Sequence, residues 1–89
     1  MAEIEVEIKN KLGLHLRAAA TLVKITALCK SDICLKKDEE EVNGKSIMGI
    51  MTLAAAQGSK ITIRAVGVDE KEALLKIKEI VDNKFGESE

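Results

Sequence analysis

The spacing of apolar residues switches between two periods along this 89-residue chain, and that switch most restricts what the chain can fold into. Residues 3–9, EIEVEIK, alternate apolar and charged side chains strictly, which predicts a strand with one face in water. Residues 60–66, KITIRAV, alternate in the same way and turn Ile61, Ile63 and Ala65 inward. DICLK, at 32–36, predicts another strand. EEEVNGK, at 39–45, overlaps an acidic run and predicts only an edge strand or a loop.

Three other stretches repeat their apolar residues at helical spacing. The first predicted helix buries a stripe made of Leu16, Ala19, Ala20, Val23 and Ala27. The second lies in KSIMGIMTLAAAQG, at 45–58, and is short, capped by Ser46 and stopped by Gly58. The third begins at a capping box formed by Asp69 and Glu72 and ends near Gly86. Its stripe consists of Ala73, Leu74, Ile77, Ile80, Val81 and Phe85. We expect the last three residues, ESE, to form a frayed tail.

The order of these elements, β-α-β-β-α-β-α, predicts the fold class. Strands with one polar face and helices with one apolar face fit a two-layer α+β sandwich, with the helices on one side of an antiparallel sheet. No linker, repeat or low-complexity stretch interrupts residues 1–89, so we expect a single domain.

Composition argues against several classes of function. The formal net charge is −1, whereas nonspecific nucleic-acid binding needs a basic surface. Phe85 is the only aromatic residue, so bases would find no stacking platform and a bilayer no aromatic belt. No apolar run is long enough to span a bilayer, and the first ten residues alternate instead of forming a signal-peptide core. We therefore expect a cytoplasmic protein that does not insert into membranes.

The two cysteines, Cys29 and Cys34, are separated by four residues in the chain. Their spacing matches neither a redox CxxC pair nor a zinc knuckle. We expect two reduced thiols, with Cys29 buried and Cys34 on the outer face of its strand, and we expect neither a metal nor a cofactor.

His15 is the only histidine, and its neighbours favour phosphoryl chemistry over an inert surface or packing role. Gly13 permits a tight turn that delivers His15 to the start of the first helix. The backbone N–H groups of Leu16, Arg17 and Ala18 lack partners within that helix and form an anion site. The helix end disfavours a protonated imidazole, and Arg17 adds positive charge. Because no second histidine or serine triad accompanies them, these residues predict a phosphoryl relay and not an enzyme.

Two motifs carry a resemblance to a known family. GLHLRAA, at 13–19, resembles the GLHxRPA signature of the HPr family of the bacterial phosphoenolpyruvate-dependent phosphotransferase system, and KSIMGIMTLAAAQG resembles its second motif. The resemblance covers essentially the whole chain. It implies an open-faced sandwich in which three helices cover one face of a four-stranded antiparallel sheet. It also implies a monomer phosphorylated on Nδ1 of His15 by enzyme I, which passes the group to enzyme IIA domains during sugar uptake.

Two positions depart from the family pattern. Ala18 replaces the usual proline, and alanine is a good helix former that need not abolish the chemistry. Leu12 stands where the family often has a small polar residue, so a polar side-chain contact to the phosphoryl group is absent there.

The second motif predicts regulation and docking. Ser46 resembles the serine that HPr kinase/phosphorylase modifies in some relatives, a form linked to a carbon-control transcription regulator. We expect Ile50 in the core, and Ile47, Met48 and Met51 in an exposed apolar patch near His15 and Leu12, where partners dock. Lys24 and Lys45 would surround that patch and attract acidic partners.

Two other functions remain open at this point. One is a regulatory HPr paralogue in nitrogen or carbon control, which would keep His15 but serve different partners. The other is a non-catalytic ferredoxin-like binding domain. Missing aromatic residues argue against an ordinary RNA-recognition motif, and a missing CxxC argues against a copper chaperone.

Overall fold

The computed structural model describes residues 1–88 and has the predicted order of elements. Three α-helices cover a four-stranded sheet, and a short 3₁₀ turn follows the last helix. The elements are β1 (Ala2–Glu7), α1 (Leu16–Thr26), β2 (Asp32–Lys37), β3 (Glu40–Asn43), α2 (Ile47–Thr52), β4 (Lys60–Val66), α3 (Glu70–Asp82) and the 3₁₀ turn (Lys84–Gly86). The predicted α+β sandwich is confirmed, and the doubtful third strand forms as an edge strand.

The strands lie in the order β1-β4-β2-β3, and every neighbouring pair is antiparallel. Ile63 of β4 pairs with Ile4 on one side and with Leu35 on the other. Alternate residues of β4 are buried, as the KITIRAV pattern predicts, because only one sheet face is covered by helices.

The face that α1 buries differs from the predicted stripe. Its buried residues are Ala18, Ala19, Leu22 and Thr26, whereas Leu16 is 60% exposed. Thr26 can be buried because its hydroxyl donates to the carbonyl of Gly44 at 2.7 Å. Successive side chains of an α-helix lie about 100° apart around its axis. With the observed residues facing the core, Leu16 faces solvent.

The start of α3 is not the predicted capping box. Asp69 occupies the N-cap position, but its side chain makes no capping hydrogen bond. Its carboxylate instead accepts from the backbone N–H groups of Lys30 and Ser31, each at 2.9 Å, and from the Ser31 hydroxyl. Glu70 accepts from the N–H of Gly67 at 3.2 Å. Asp69 therefore ties α3 to the turn after α1.

The chain leaves α3 at Asp82, earlier than predicted, and turns sharply. Lys84 and Phe85 adopt φ angles of +57° and +56°, in the left-handed region. That turn buries Phe85 in the core, and its conformational cost is offset by the aromatic surface removed from water.

Cys29 is buried and Cys34 half-buried, and both are free thiols, in agreement with the predicted placement. Burial is the main cause that raises the pKa of each thiol. Both sulfurs therefore stay protonated and poorly nucleophilic near neutral pH.

Within the described residues, no helix combines the length and apolar character needed to traverse a membrane.

Candidate functional site

His15 occupies the N-cap position of α1, as the sequence predicts. Its backbone is extended, with φ −80° and ψ −179°, and its side chain makes no capping hydrogen bond. The carbonyl of His15 accepts the first helical hydrogen bond, from the N–H of Ala19 at 2.9 Å. The N–H groups of the three residues between them precede that bond and have no carbonyl within the helix to donate to. The imidazole therefore stands beside a cluster of backbone donors.

A tight turn at Gly13 positions this helix start. Gly13 has a φ of +69° and donates its N–H to the carbonyl of Asn10 at 3.2 Å. The next N–H, of Leu14, donates to the carbonyl of Ala55 at 2.9 Å. The turn before His15 is therefore fixed against the segment that follows α2.

Glu87 contacts His15, and the sequence did not reveal it. One carboxylate oxygen of Glu87, Oε2, hydrogen-bonds to Nε2 of His15. The other, Oε1, accepts from Nδ2 of Asn10 at 2.9 Å. Because the turn after α3 anchors Phe85, the next residues lie against α1, and the predicted frayed tail is wrong at Glu87. Glu89, also in that prediction, lies outside the described residues.

Asn10 is fully buried and connects Glu87 to the turn. Its Nδ2 donates both to Glu87 and to the carbonyl of Gly13, the latter at 2.7 Å. The Asn10 hydrogen bond is the largest cause that lowers the pKa of Glu87, and the hydrogen bond from His15 and the charge of Arg17 act in the same direction. The Glu87 carboxylate is therefore ionised near neutral pH.

Arg17 lies in the first turn of α1 with its side chain exposed. It lines a shallow surface depression together with Leu12, Gly86, Glu87 and Ser88. His15, Arg17 and the α1 N-terminus thus share one corner of the molecule, and that corner can hold an anion between a cation and backbone donors.

Ser46 is the N-cap of α2, as predicted. Its hydroxyl oxygen accepts from the N–H of Gly49 at 3.0 Å, and the residue is half-exposed. Ser46 therefore combines a capping hydrogen bond with partial exposure of the residue.

Exposed apolar side chains extend from the turn and α1 to α2, and these two helices contact each other. We call the set the apolar patch; its exposed fractions are 70% for Leu12, 60% for Leu16, 79% for Met48 and 39% for Met51. Ile50 is buried, as predicted. Ile47 was expected in the patch, but it is only partly exposed and packs against the core. Leu16 was missed because it was assigned to the buried stripe of α1.

The two predicted lysines differ. Lys24 is exposed, whereas Lys45 is half-buried and its ammonium donates to the carbonyl of Cys29 at 2.8 Å. A carbonyl just beyond the end of α1 attracts a cation. Lys45 is thus partly held by the fold, and its expected place beside the apolar patch stays a prediction.

Comparisons with known proteins all match one family. The family model described as "PTS HPr component phosphorylation site" matches residues 2–83. The phosphocarrier protein HPr of Neisseria meningitidis serogroup A is 43% identical over 89 residues, the whole of both chains. The crystal structure of HPr-C-His from Thermoanaerobacter tengcongensis is similar with a TM-score of 0.96 and 45% identity, again over the whole of both chains. Crh of Bacillus subtilis, described as a catabolite repression protein that forms a swapped dimer, has a TM-score of 0.76 and 43% identity. That similarity covers 94% of this chain and 97% of the Crh chain.

Proposed function

Since this chain belongs to the HPr family of the bacterial phosphotransferase system, we propose that it carries phosphoryl groups on His15 from enzyme I to enzyme IIA domains. The family is one of phosphocarriers. The finer assignment is supported above all by one observation, the placement of the only histidine at the N-cap of α1. The protein acts in the cytoplasm as a monomeric intermediate in sugar uptake, and it needs no cofactor beyond the group it carries.

Each residue of the corner has a role in this proposal. Nδ1 of His15 attacks phosphorus, and the bond from phosphorus to the donor's leaving atom breaks with its electron pair. The backbone N–H groups of Leu16, Arg17 and Ala18 and the guanidinium of Arg17 hold the phosphoryl oxygens, because the incoming group is a dianion.

Partners dock on the apolar patch, with the partly exposed Ile47 at its border. The patch combines two methionines, whose unbranched side chains adapt to different surfaces, with two leucines beside the phosphoryl site. Lys24, exposed on α1, adds a positive charge that attracts acidic surfaces. A carrier that meets both enzyme I and enzyme IIA domains needs such an adaptable surface.

Phosphorylation of Ser46 by HPr kinase/phosphorylase is the regulatory part of the proposal. The modification would bring roughly two negative charges to the start of α2, next to Met48. These charges would oppose docking of an acidic enzyme I surface. The modified form would in turn be available to a carbon-control transcription regulator.

The test is incubation with enzyme I, Mg²⁺ and phosphoenolpyruvate, followed by intact mass measurement. We expect one added phosphoryl group that is lost in acid, as a phosphoramidate is. His15→Ala should keep a folded circular dichroism spectrum and take up no phosphoryl group. An unmodified wild-type chain beside a demonstrably active enzyme I would instead favour a non-catalytic binding domain.

The similarity to Crh favours a second candidate, a regulatory HPr paralogue in carbon or nitrogen control. Both candidates keep phosphoryl transfer to His15, so the discriminating step is the next one. The phosphorylated protein should lose its group to an enzyme IIA domain if it serves sugar uptake. Retention of the group in the presence of several enzyme IIA domains would favour the regulatory role.

A further inference from the structure

We propose that Glu87 is a positioning residue of the phosphoryl site, which holds the His15 ring with its proton on Nε2 and leaves Nδ1 free to attack. The inference rests on the proposed transfer through His15 and adds a residue that lies 72 positions away in the chain. It assigns a task to a carboxylate that sequence patterns place in a tail.

The hydrogen bonds define which nitrogen of His15 carries the proton. An ionised carboxylate can only accept hydrogen bonds, so the nitrogen that faces Glu87 must be the donor. That nitrogen is Nε2. In the neutral imidazole the proton therefore lies on Nε2, and Nδ1 keeps its lone pair.

Asn10 fixes the carboxylate in this role. Its Nδ2 donates to Glu87 and, at 2.7 Å, to the carbonyl of Gly13. A flipped Asn10 amide would place its oxygen against two acceptors, so this orientation is strongly preferred. Both Asn10 and the Glu87 side chain are shielded, with exposures of 0% and 14%, so water competes weakly for these bonds.

The same contact assists the chemical step. When the Nδ1 lone pair forms the bond to phosphorus, the ring gains positive charge while the proton stays on Nε2. The Glu87 carboxylate then faces a cationic ring and stabilises it, as carboxylates that orient a reacting histidine do elsewhere. When the phosphoryl group leaves for the next acceptor, the electron pair returns to Nδ1 and the ring is neutral again. Glu87 therefore acts in both directions of transfer without exchanging a proton.

Glu87→Gln tests this arrangement because it reverses one hydrogen bond and keeps the size of the side chain. The Asn10 amide still requires an acceptor, so the new carbonyl oxygen faces Asn10 and the new NH₂ group faces His15. An NH₂ group donates to a bare Nε2, which moves the imidazole proton to Nδ1, the attacking atom. Glu87→Ala removes the contact without this reversal, and Glu79→Gln, at an exposed position of α3, is the matched control.

Two readouts on the full chain are needed. Imidazole nitrogen chemical shifts, measured by NMR, should give the Nε2–H tautomer in wild type and Glu79→Gln, a mixture in Glu87→Ala, and mainly the Nδ1–H tautomer in Glu87→Gln. Phosphorylation by enzyme I should slow by about tenfold or more in Glu87→Gln, by analogy with the loss of carboxylates that orient metal-bound histidines. Glu87→Ala should slow less, and Glu79→Gln should match wild type.

The outcomes separate this inference from the proposed function. A wild-type chain that takes up no phosphoryl group overturns the proposed function, and the NMR tautomer alone then decides the positioning role. A normal wild-type chain whose Glu87→Gln variant keeps the Nε2–H tautomer overturns the inference, whatever its rate. A changed tautomer with an unchanged rate equally overturns the role of Glu87 in transfer.

Discussion

A β carbon on Gly13 would lie 2.4 Å from the carbonyl oxygen of Ala55. The turn before His15 and the segment after α2 thus touch backbone to backbone, at a distance that no other residue type permits without movement. Gly13 also has a φ of +69°, a backbone conformation that residues other than glycine rarely adopt.

Gly13→Ala should therefore lower the free energy of unfolding by about 2 kcal/mol or more, since left-handed strain and overpacking add. Gly58→Ala is the matched control, because Gly58 has a φ of +90° with nothing within 4 Å of the added carbon. It should lose only the strain, about 1–2 kcal/mol. Urea unfolding of both variants measures the difference, and equal losses would contradict the close approach.

Asp69 predicts a change of stability in acid. Hydrogen bonds from the Ser31 hydroxyl and from the Lys30 backbone lower its pKa from 3.8 to about 2. Because the folded-state pKa is the lower one, the carboxylate stabilises the fold above 3.8, and this contribution disappears as pH falls towards about 2. Asp69→Asn should be less stable than wild type above that window, and the gap should close within it.

Thermal unfolding across acidic pH checks this expectation. Glu72→Gln, an exposed carboxylate in the first turn of the same helix, serves as control and should keep the wild-type pH dependence. Parallel curves for wild type and Asp69→Asn would show that the Ser31 contact does not stabilise the folded state.

Arg17→Ala should slow phosphorylation of His15 by about tenfold, which corresponds to ~1.5 kcal/mol for a lost hydrogen bond to a charged group. Lys24→Ala removes the same charge from an exposed position later on α1 and should slow transfer less. Rates from enzyme I assays at two salt concentrations separate the local effect from general attraction, which salt screens. Equal rates for wild type and Arg17→Ala would remove Arg17 from the site.

Ala18→Pro restores the family residue and should change the free energy of unfolding by less than ~1 kcal/mol. The N–H of Ala18 has no partner within the helix, so proline removes no helical hydrogen bond there. Ala19→Pro, one residue later, deletes the hydrogen bond to the His15 carbonyl at 2.9 Å and should cost about 3 kcal/mol. Similar melting temperatures for the two variants would contradict the placement of the helix start.

Ser46 should both cap α2 and, when it carries negative charge, slow the phosphorylation of His15. Ser46→Ala removes the hydrogen bond to Gly49 and should lower stability by about 1 kcal/mol while leaving transfer normal. Ser46→Asp should melt near wild type but slow phosphorylation of His15, because a negative charge then borders the apolar patch. Melting curves measure the stability of both variants, and enzyme I assays measure how fast His15 is phosphorylated. An Asp variant that is phosphorylated as fast as wild type would show that Ser46 is only a helix cap.

Features set by neighbouring residues were predictable from the sequence. The alternation around Ile61 and Ile63 indicates a half-buried strand, and the Ser46 hydroxyl finds its donor three residues ahead. The position of His15 before α1 likewise follows from the glycine turn and the apolar spacing after it. Each depends on contacts within about one turn of chain.

Features that depend on contacts between residues far apart in the chain were not predictable from the sequence. Asp69 has the residue type of a cap, yet two N–H groups from the turn after α1 bind its carboxylate instead. Leu16 fits a buried stripe by spacing, but burial of Leu22 and Thr26 rotates it outward. Glu87 belongs to a short polar tail, and its contact with His15 arises only because Phe85 enters the core.

The sheet order also governs how the chain can fold. β1 is an edge strand whose partner is β4, and Glu7 pairs with Lys60, about fifty residues later. On the ribosome β1 must wait until β4 has been synthesised, and closing so long a loop slows folding. Meanwhile its apolar side chains lack a core, and another unpaired strand could bind it. Glu3, Glu5 and Glu7 face water in the finished sheet, and against a second copy of β1 the same charges would repel one another. The charges of the first strand thus disfavour pairing between two unfinished chains.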